Sequence, residues 1–236
     1  MNYVFIITYG RSGSTLLQNV LNSIPGYLIR GENDNILYHM AKAWIIAKTS
    51  PEIKIRRDAM NSDEWHDPRY GKEIDPWFGC EQISPPELGS ALAGLFINKV
   101  LQPEEDTRAV GFKEIRFHLA GDDMELYLDF ILNFFPDSKL IFNTRELNDV
   151  AKSGWWANYS PADFAAEVGD ADKRFRNYAK NRPNRTILMH YDDYKGNPEG
   201  FRRLFEFLEE AYDKDYVSCI MSQKLDHVKK KWKKPE

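Results

Sequence analysis

ITYGRSGSTLLQNVL, residues 7–21, runs from an apolar segment into a tight polar turn and out into a helical pattern. The apolar part, VFIITY, reads as a strand that ends at Gly10. Arg11, Ser12, Gly13, Ser14 and Thr15 form the turn, and Leu16, Leu17, Val20 and Leu21 supply the apolar positions of the helix. Gly10 and Gly13 let the backbone fold tightly and turn its N–H groups inward. The helix N-terminus adds partial positive charge and free donors, which together make an anion site. Ser14 and Thr15 are placed to cap the helix or to bond a phosphate oxygen, and Arg11 brings a permanent cation with a forked donor set. A triphosphate-binding loop would carry a lysine just before the hydroxyl pair; here the cation stands earlier in the turn. A 5′-phosphate bearing one further group suits this loop better than a β,γ-phosphate. The competing reading is a plain helix-capping turn with an exposed arginine.

The rest of the chain supports a packed α/β protein. Its 236 residues allow one sizeable domain or two small ones, and 42% hydrophobic with 14% aromatic residues supply a core. A net charge of −4 with intermixed signs argues against nucleic acid as the main partner. The one basic run, Lys229 to Lys234 around Trp232, reads as a solvated tail. Cys80 and Cys219 are in no metal-ligand spacing, which fits a reducing compartment. No stretch approaches the roughly 20 apolar residues of a membrane span, and the first apolar run is too short for a signal peptide. A soluble, cytoplasmic protein is expected, although a chain trimmed of an N-terminal anchor would read the same.

Four more apolar runs resemble the first: residues 26–30, 109–113 (AVGFK), 139–143 (KLIFN) and 186–190 (TILMH). Nearly continuous apolar runs separated by helical patterns predict a mostly parallel sheet of about five strands, covered by helices on both faces in three layers. Helices are expected over residues 14–23, 35–48, 86–101, 124–135, 147–158, 161–181 and 198–212, three of them opened by Pro86, Pro161 and Pro198. Residues 53–84 (with SDEWHDPRYGKEIDPWFGCEQ) break the pattern and read as an irregular insertion over the sheet's rim. There are no repeats.

LIFNTRELNDVAKSGWW, residues 140–156, carries a second signal. A strand ends near Thr144, Arg145 sits at its tip, and Ser153 falls in the second turn of the following helix. An arginine and a serine so placed converge on one anion at the ligand-binding rim of a parallel sheet. Equally, Arg145 pairs with Glu146 or Asp149 and Ser153 is a surface residue. Two phosphate sites on one rim imply a nucleotide with phosphates at both ends of its ribose.

At this point the chain resembles the sulfotransferases that use 3′-phosphoadenosine 5′-phosphosulfate. TYGRSGSTLL resembles their 5′-phosphosulfate loop, and TRELNDVAKSGWW their 3′-phosphate segment. MHYDDYKGNPEGFRRLFEFL resembles the late strand and Pro-started helix. Leu147 stands where the family usually has proline. The resemblance, over residues 3–208, implies one domain across residues 1–236 with a P-loop nucleotide-kinase-like fold. It implies that Arg11, Ser12, Gly13, Ser14 and Thr15 hold the 5′ end of the donor, and that Arg145 and Ser153 hold its 3′-phosphate. Trp155 or Trp156 is expected near the adenine, with at least one of them in the core.

Sulfuryl transfer, like phosphoryl transfer, asks the protein mainly for positioning and charge stabilisation, and no metal ion is required. Lys113, at the tip of AVGFK, is a second candidate cation, unless it is spent on Glu114 or another rim carboxylate. An acceptor hydroxyl needs a general base. Glu32, in YLIRGEND, resembles the proposed base of the carbohydrate and bacterial type, and otherwise pairs with Arg30. His118, in KEIRFH, is the rival by resemblance to the cytosolic type. Trp65, Tyr70, Trp77 and Phe78, with Tyr38, His39 and Trp44, are candidates for the acceptor pocket, and suit a saccharide or another hydroxylated molecule. Two other functions stay open: a small-molecule kinase using Asp192 and Asp193 for a metal, and a nucleotide-binding protein without turnover.

Overall fold

The computed structural model describes residues 1–63 and 66–223. Trp65 and the basic run Lys229 to Lys234 lie outside the described residues. All five apolar runs are strands: β1 (Asn2–Thr8), β2 (Tyr27–Arg30), β3 (Ala109–Glu114), β4 (Lys139–Thr144) and β5 (Thr186–His190). They form one sheet in the order β2-β3-β1-β4-β5, and every pairing is parallel.

Strand side chains alternate between faces, and β1 shows what each face buries. Phe5 and Ile7 enter a core with α2 (Ile36–Thr49), α4 (Pro85–Phe96), α5 (Met124–Phe134) and α8 (Asp170–Lys180). Val4 and Ile6 enter the other, with α1 (Ser14–Asn22), α10 (Arg202–Leu208) and α11 (Lys214–Ser222). The larger core is aromatic: Phe5 meets Phe112 and Phe135 edge-on, with ring centroids 5.2 and 5.1 Å apart. The fold is thus three-layered α/β, with β1 at its centre. From β1 the chain runs outward to β2 on one side and later to β4 on the other. In open parallel sheets such a reversal marks the ligand-binding crevice at the carboxyl ends of the strands, here β1, β3 and β4.

Three expectations are corrected. The helix predicted over residues 147–158 stops early. α6 covers only Leu147–Ala151, Ser153 is extended, Gly154 has φ 62°, and a 3₁₀ turn follows at Gly154–Asn158. Ser153 is therefore beyond the helix, not in its second turn. The helix predicted to Tyr212 ends at Leu208, where Glu209 takes a left-handed φ of 62°. Finally, the stretch read as irregular contains α3 (Pro51–Met60), whose buried residues are Ile53 and Arg56. Arg56 grips Asp75 through two hydrogen bonds of 2.6 and 2.9 Å, with Tyr70 and Trp77 packed over its guanidinium. An ion pair, not an apolar stripe, anchors this segment. The remaining short helices are α7 (Pro161–Phe164), which runs through a π turn into α8, and α9 (Tyr191–Tyr194). Among the described residues no helix is long and apolar enough to cross a membrane.

Candidate active site

The loop after β1 is held from below. Ser12 is fully buried, its hydroxyl lies 2.6 Å from that of Thr8, and its carbonyl accepts from Asn143 Nδ2 at 3.0 Å. Thr8 Oγ1 in turn donates to the Asn143 carbonyl at 2.7 Å, and Tyr194 donates to Asn143 Oδ1 at 2.6 Å. The Ser12 side chain is thus a strut of the loop and faces away from the rim. Gly13 precedes α1 with φ 80°, and the Tyr191 ring occupies the space of a side chain there: a Cβ would lie 2.1 Å from it. Arg11 also has a left-handed φ, 67°, and is exposed. Among the described residues, the hydroxyls of Ser14 and Thr15 and the backbone N–H groups of residues 11–15 make no hydrogen bond to the protein.

The second segment meets this loop directly. Arg11 Nε donates to Ser153 Oγ at 3.0 Å, and Arg145 Nη1 donates to the Arg11 carbonyl at 3.1 Å. Gly154 makes the approach possible, since a Cβ there would lie 2.9 Å from Arg11 Cδ. The two anion segments of the sequence therefore share a wall. Arg145 lies 5.0 Å from the Tyr191 ring centroid, a cation–π contact. Its nearest carboxylate, Asp149, is 3.7 Å away, too long for a hydrogen bond. Its Nε is buried and has no partner among the described residues. Trp156 is core, donating to the Gly10 carbonyl at 3.1 Å, while Trp155 is 46% exposed above Gly10.

Across the crevice, Lys113 and Glu32 are brought together, 2.5 Å apart, although 81 residues separate them. Lys113 is buried and Glu32 is one-third exposed. The second Glu32 oxygen accepts from Arg116 at 3.3 Å, and Arg116 also reaches Asp34 at 3.2 Å and Glu114 at 3.1 Å. Glu114, fully buried, accepts four backbone N–H groups at 2.8–3.1 Å, from Asn33, Asn35, Ile115 and Arg116. It fixes the loop that presents Glu32. The Glu32–Arg30 pair does not form, since Arg30 donates instead to the carbonyls of Leu101 and Gln102; Lys113 is spent not on Glu114 but on another rim carboxylate, Glu32.

His118 stands apart from this pair. It lies in the 3₁₀ segment Phe117–Asp123, packs edge-on against Trp156 with ring centroids 5.6 Å apart, and has Glu167 at 3.8 Å. Burial pushes its pKa down, with the Ile115 backbone opposing. Asn33 Nδ2, His118 Nδ1 and Arg145 Nε are the buried side-chain nitrogens without a partner among the described residues, and all three belong to the segments around this crevice.

Sequence reasoning missed Tyr191, whose signal was its place directly after β5. It also missed Tyr9, whose hydroxyl contacts the Arg145 backbone at 3.1 Å. Of the aromatics proposed for an acceptor pocket, Trp44 is core, packed on Phe130 and Phe134. Tyr38 donates to Asp123 at 2.9 Å, and His39, Trp77 and Phe78 are exposed. Asp192 is engaged by the Glu146 N–H at 3.2 Å and by His190 at 3.4 Å. Among the described residues no group of three or more His, Cys, Asp or Glu is arranged to hold a metal ion.

A β2-β3-β1-β4-β5 parallel sheet between helical layers, with a glycine turn after its first strand, defines an α/β protein whose ligand-binding rim lies at the carboxyl ends of the strands. A sequence model described as the sulfotransferase family matches residues 3–214, and the chain belongs to that family. Among solved structures it is similar to a sulfotransferase domain from the curacin biosynthetic pathway, with 16% identity, 90% of this chain and 75% of that one covered, and a TM-score of 0.48. It is also similar to the sulfotransferase STF9 from Mycobacterium avium, with 13% identity, 96% and 68% covered, and a TM-score of 0.40. No curated protein matches the sequence.

Proposed function

We propose that residues 1–236 form one sulfotransferase domain that moves a sulfuryl group from 3′-phosphoadenosine 5′-phosphosulfate to an acceptor hydroxyl. The observation that carries this reading is the buried Nε of Arg145 beside a loop of N–H groups, all without a hydrogen-bond partner among the described residues. A buried donor without a partner costs about 1–3 kcal/mol, more for a charged group, so an anion that fills the crevice recovers that cost. The residues present fit a doubly phosphorylated nucleotide. Arg11, Ser14, Thr15 and the loop N–H groups, from Ser12 and Gly13 among others, hold its 5′ end. Arg145, with Ser153 alongside, holds its 3′-phosphate. The donor supplies an SO₃ unit that is transferred without need of a metal.

The chain's own residues do the rest. Glu32 takes the proton of the acceptor hydroxyl, and Arg116 and Lys113, one on each of its oxygens, hold it in place. Lys113 turns to the oxygens around the transferring group when the crevice is filled. The acceptor is a hydroxylated molecule, a saccharide or a small metabolite. The test has two arms. Calorimetry with 3′-phosphoadenosine 5′-phosphate in the absence of Mg²⁺ is expected to show binding, and mass spectrometry with donor and a mixed acceptor library a product heavier by one SO₃. Mg²⁺-dependent ATP binding in place of the first would point to a kinase. Nucleotide binding with no sulfated product across the library would point to a binding protein without turnover.

A further inference from the structure

Tyr9 is the last residue before the glycine loop, and its hydroxyl is buried 136 residues away in sequence from the segment that it touches. The ring lies in the larger core, stacked on Phe175 with centroids 6.2 Å apart. The oxygen lies 2.9 Å from Asp172 Oδ1 and 3.1 Å from the Arg145 backbone nitrogen. A phenol has one proton to give, and the carboxylate is the stronger acceptor, so the O–H points at Asp172 and the oxygen accepts from the Arg145 N–H. Arg176 Nε donates to the other Asp172 oxygen at 2.6 Å, which fixes the carboxylate on α8. Burial, reinforced by Asp172, raises the Tyr9 pKa and keeps the phenol neutral.

We infer that Tyr9, held by Asp172 and Arg176, is a positioning residue that sets the direction in which Arg145 faces the crevice. The first residue past β4 lies beyond the sheet ladder, and this hydroxyl is the acceptor its N–H receives. The chain entering the loop thereby also aims the arginine of the second segment, so the two anion-binding parts move as one body. This inference rests on the reading of Arg145 as the 3′-phosphate residue.

The test is Tyr9→Phe, which keeps the ring in the core and removes only the oxygen. Affinity for 3′-phosphoadenosine 5′-phosphate is expected to fall about tenfold, with that for adenosine 5′-phosphosulfate changed less than about twofold. In an Arg145→Ala background the same change is expected to leave the ratio of the two affinities where it was. Hydrogen exchange at the Arg145 amide is expected to speed up about tenfold in Tyr9→Phe without any nucleotide. Equal losses for both ligands, or a tenfold loss that persists in the Arg145→Ala background, would overturn the inference, as would an unchanged amide. Faster exchange combined with an Arg145→Ala protein that treats both ligands alike keeps the tether and removes the 3′-phosphate reading. Should Tyr9→Phe not fold, Asp172→Asn weakens the anchor while keeping its size, and is expected to shift the same ratio about threefold; no shift counts against the inference.

Discussion

On the loop side of the crevice, Arg145 Nε is buried without a partner among the described residues, and the N–H groups of residues 11–15 have no acceptor there. On the β3 side Glu32, Lys113, Arg116, Asp34 and Glu114 each have an opposite charge within 3.3 Å. The contrast separates two kinds of readiness. On the proposed reading the loop side waits for an anion from outside: its donors are preorganised, and only the neutral Ser153 hydroxyl on Arg11 has to give way. The β3 side is already paired within itself, three carboxylates sharing two cations. Its groups come into use when a substrate takes a partner away, so the base and the second cation are released together or not at all.

Removing the carboxylate of the self-paired side is expected to have the largest effect. Glu32→Gln keeps an oxygen for Lys113 but no basic group, and turnover is expected to fall about 10²- to 10⁴-fold. Nucleotide affinity is expected to stay within about twofold, because the loop side is untouched. Single-turnover rates alongside calorimetry check both. A Glu32→Gln protein with ordinary turnover would remove the base assignment and leave the contrast without chemical meaning. The loop side breaks differently. Arg145→Ala is expected to weaken 3′-phosphoadenosine 5′-phosphate about 100-fold, as the loss of a charge-assisted pair suggests. Adenosine 5′-phosphosulfate is expected to lose less than about threefold. Equal losses in calorimetry would take Arg145 off the 3′ end.

How far the sequence foretold these two sides follows from what each is made of. The strands were readable because a parallel sheet covered on both faces needs unbroken apolar runs, and residues 186–190 are an instance with its ends placed correctly. The positions of Arg11 and Arg145 between strand and helix were readable, Arg145 directly after β4 and Arg11 three residues past the end of β1. The β3 side was only half readable. Glu32 and Lys113 were each singled out, but their pairing depends on β2 lying beside β3 in the register Arg30↔Phe112, which no local pattern reveals. Lys113 and Glu114 are neighbours in sequence, yet successive strand residues point to opposite faces, so one meets Glu32 and the other caps the loop beneath it. Arg56 and α3 were unreadable for a related reason. Their buried face rests on an ion pair, and the apolar periodicity that marks a helix is missing. The break at Gly154 was hidden by a helical pattern on both sides of it.

His118 tests whether the β3 side holds a second base. Burial keeps its pKa below the ordinary 6.5, so in the unfolded chain it takes up a proton that the fold resists. Stability is therefore expected to fall as pH drops below about 6.5 toward the folded value, by no more than about 1.4 kcal/mol per pH unit from this group. His118→Gln is expected to flatten that part of a pH series of thermal or urea melts and to leave turnover within about threefold. A loss of turnover comparable with that of Glu32→Gln would move the proton-accepting role to His118.

Ser153 carries the smallest expected effect and the sharpest question about the loop side. Its hydroxyl accepts from Arg11 Nε at 3.0 Å, and the residue lies just beyond α6, in extended backbone. In this position it has two possible uses. It either steadies Arg11 for the 5′ end or gives its hydroxyl to the 3′-phosphate once the nucleotide enters. Ser153→Ala removes one neutral hydrogen bond, worth about 0.5–1.5 kcal/mol, so an affinity loss of about threefold is expected. If Ser153 serves Arg11, calorimetry will show the same threefold for 3′-phosphoadenosine 5′-phosphate and for adenosine 5′-phosphosulfate. If it serves the 3′-phosphate, only the first ligand will weaken. The second result is expected, because an entering phosphate is a stronger partner for Arg11 than a neutral hydroxyl and frees Ser153 to turn. A common loss would mean that the serine belongs to the loop, and that the 3′ end rests on Arg145 without it.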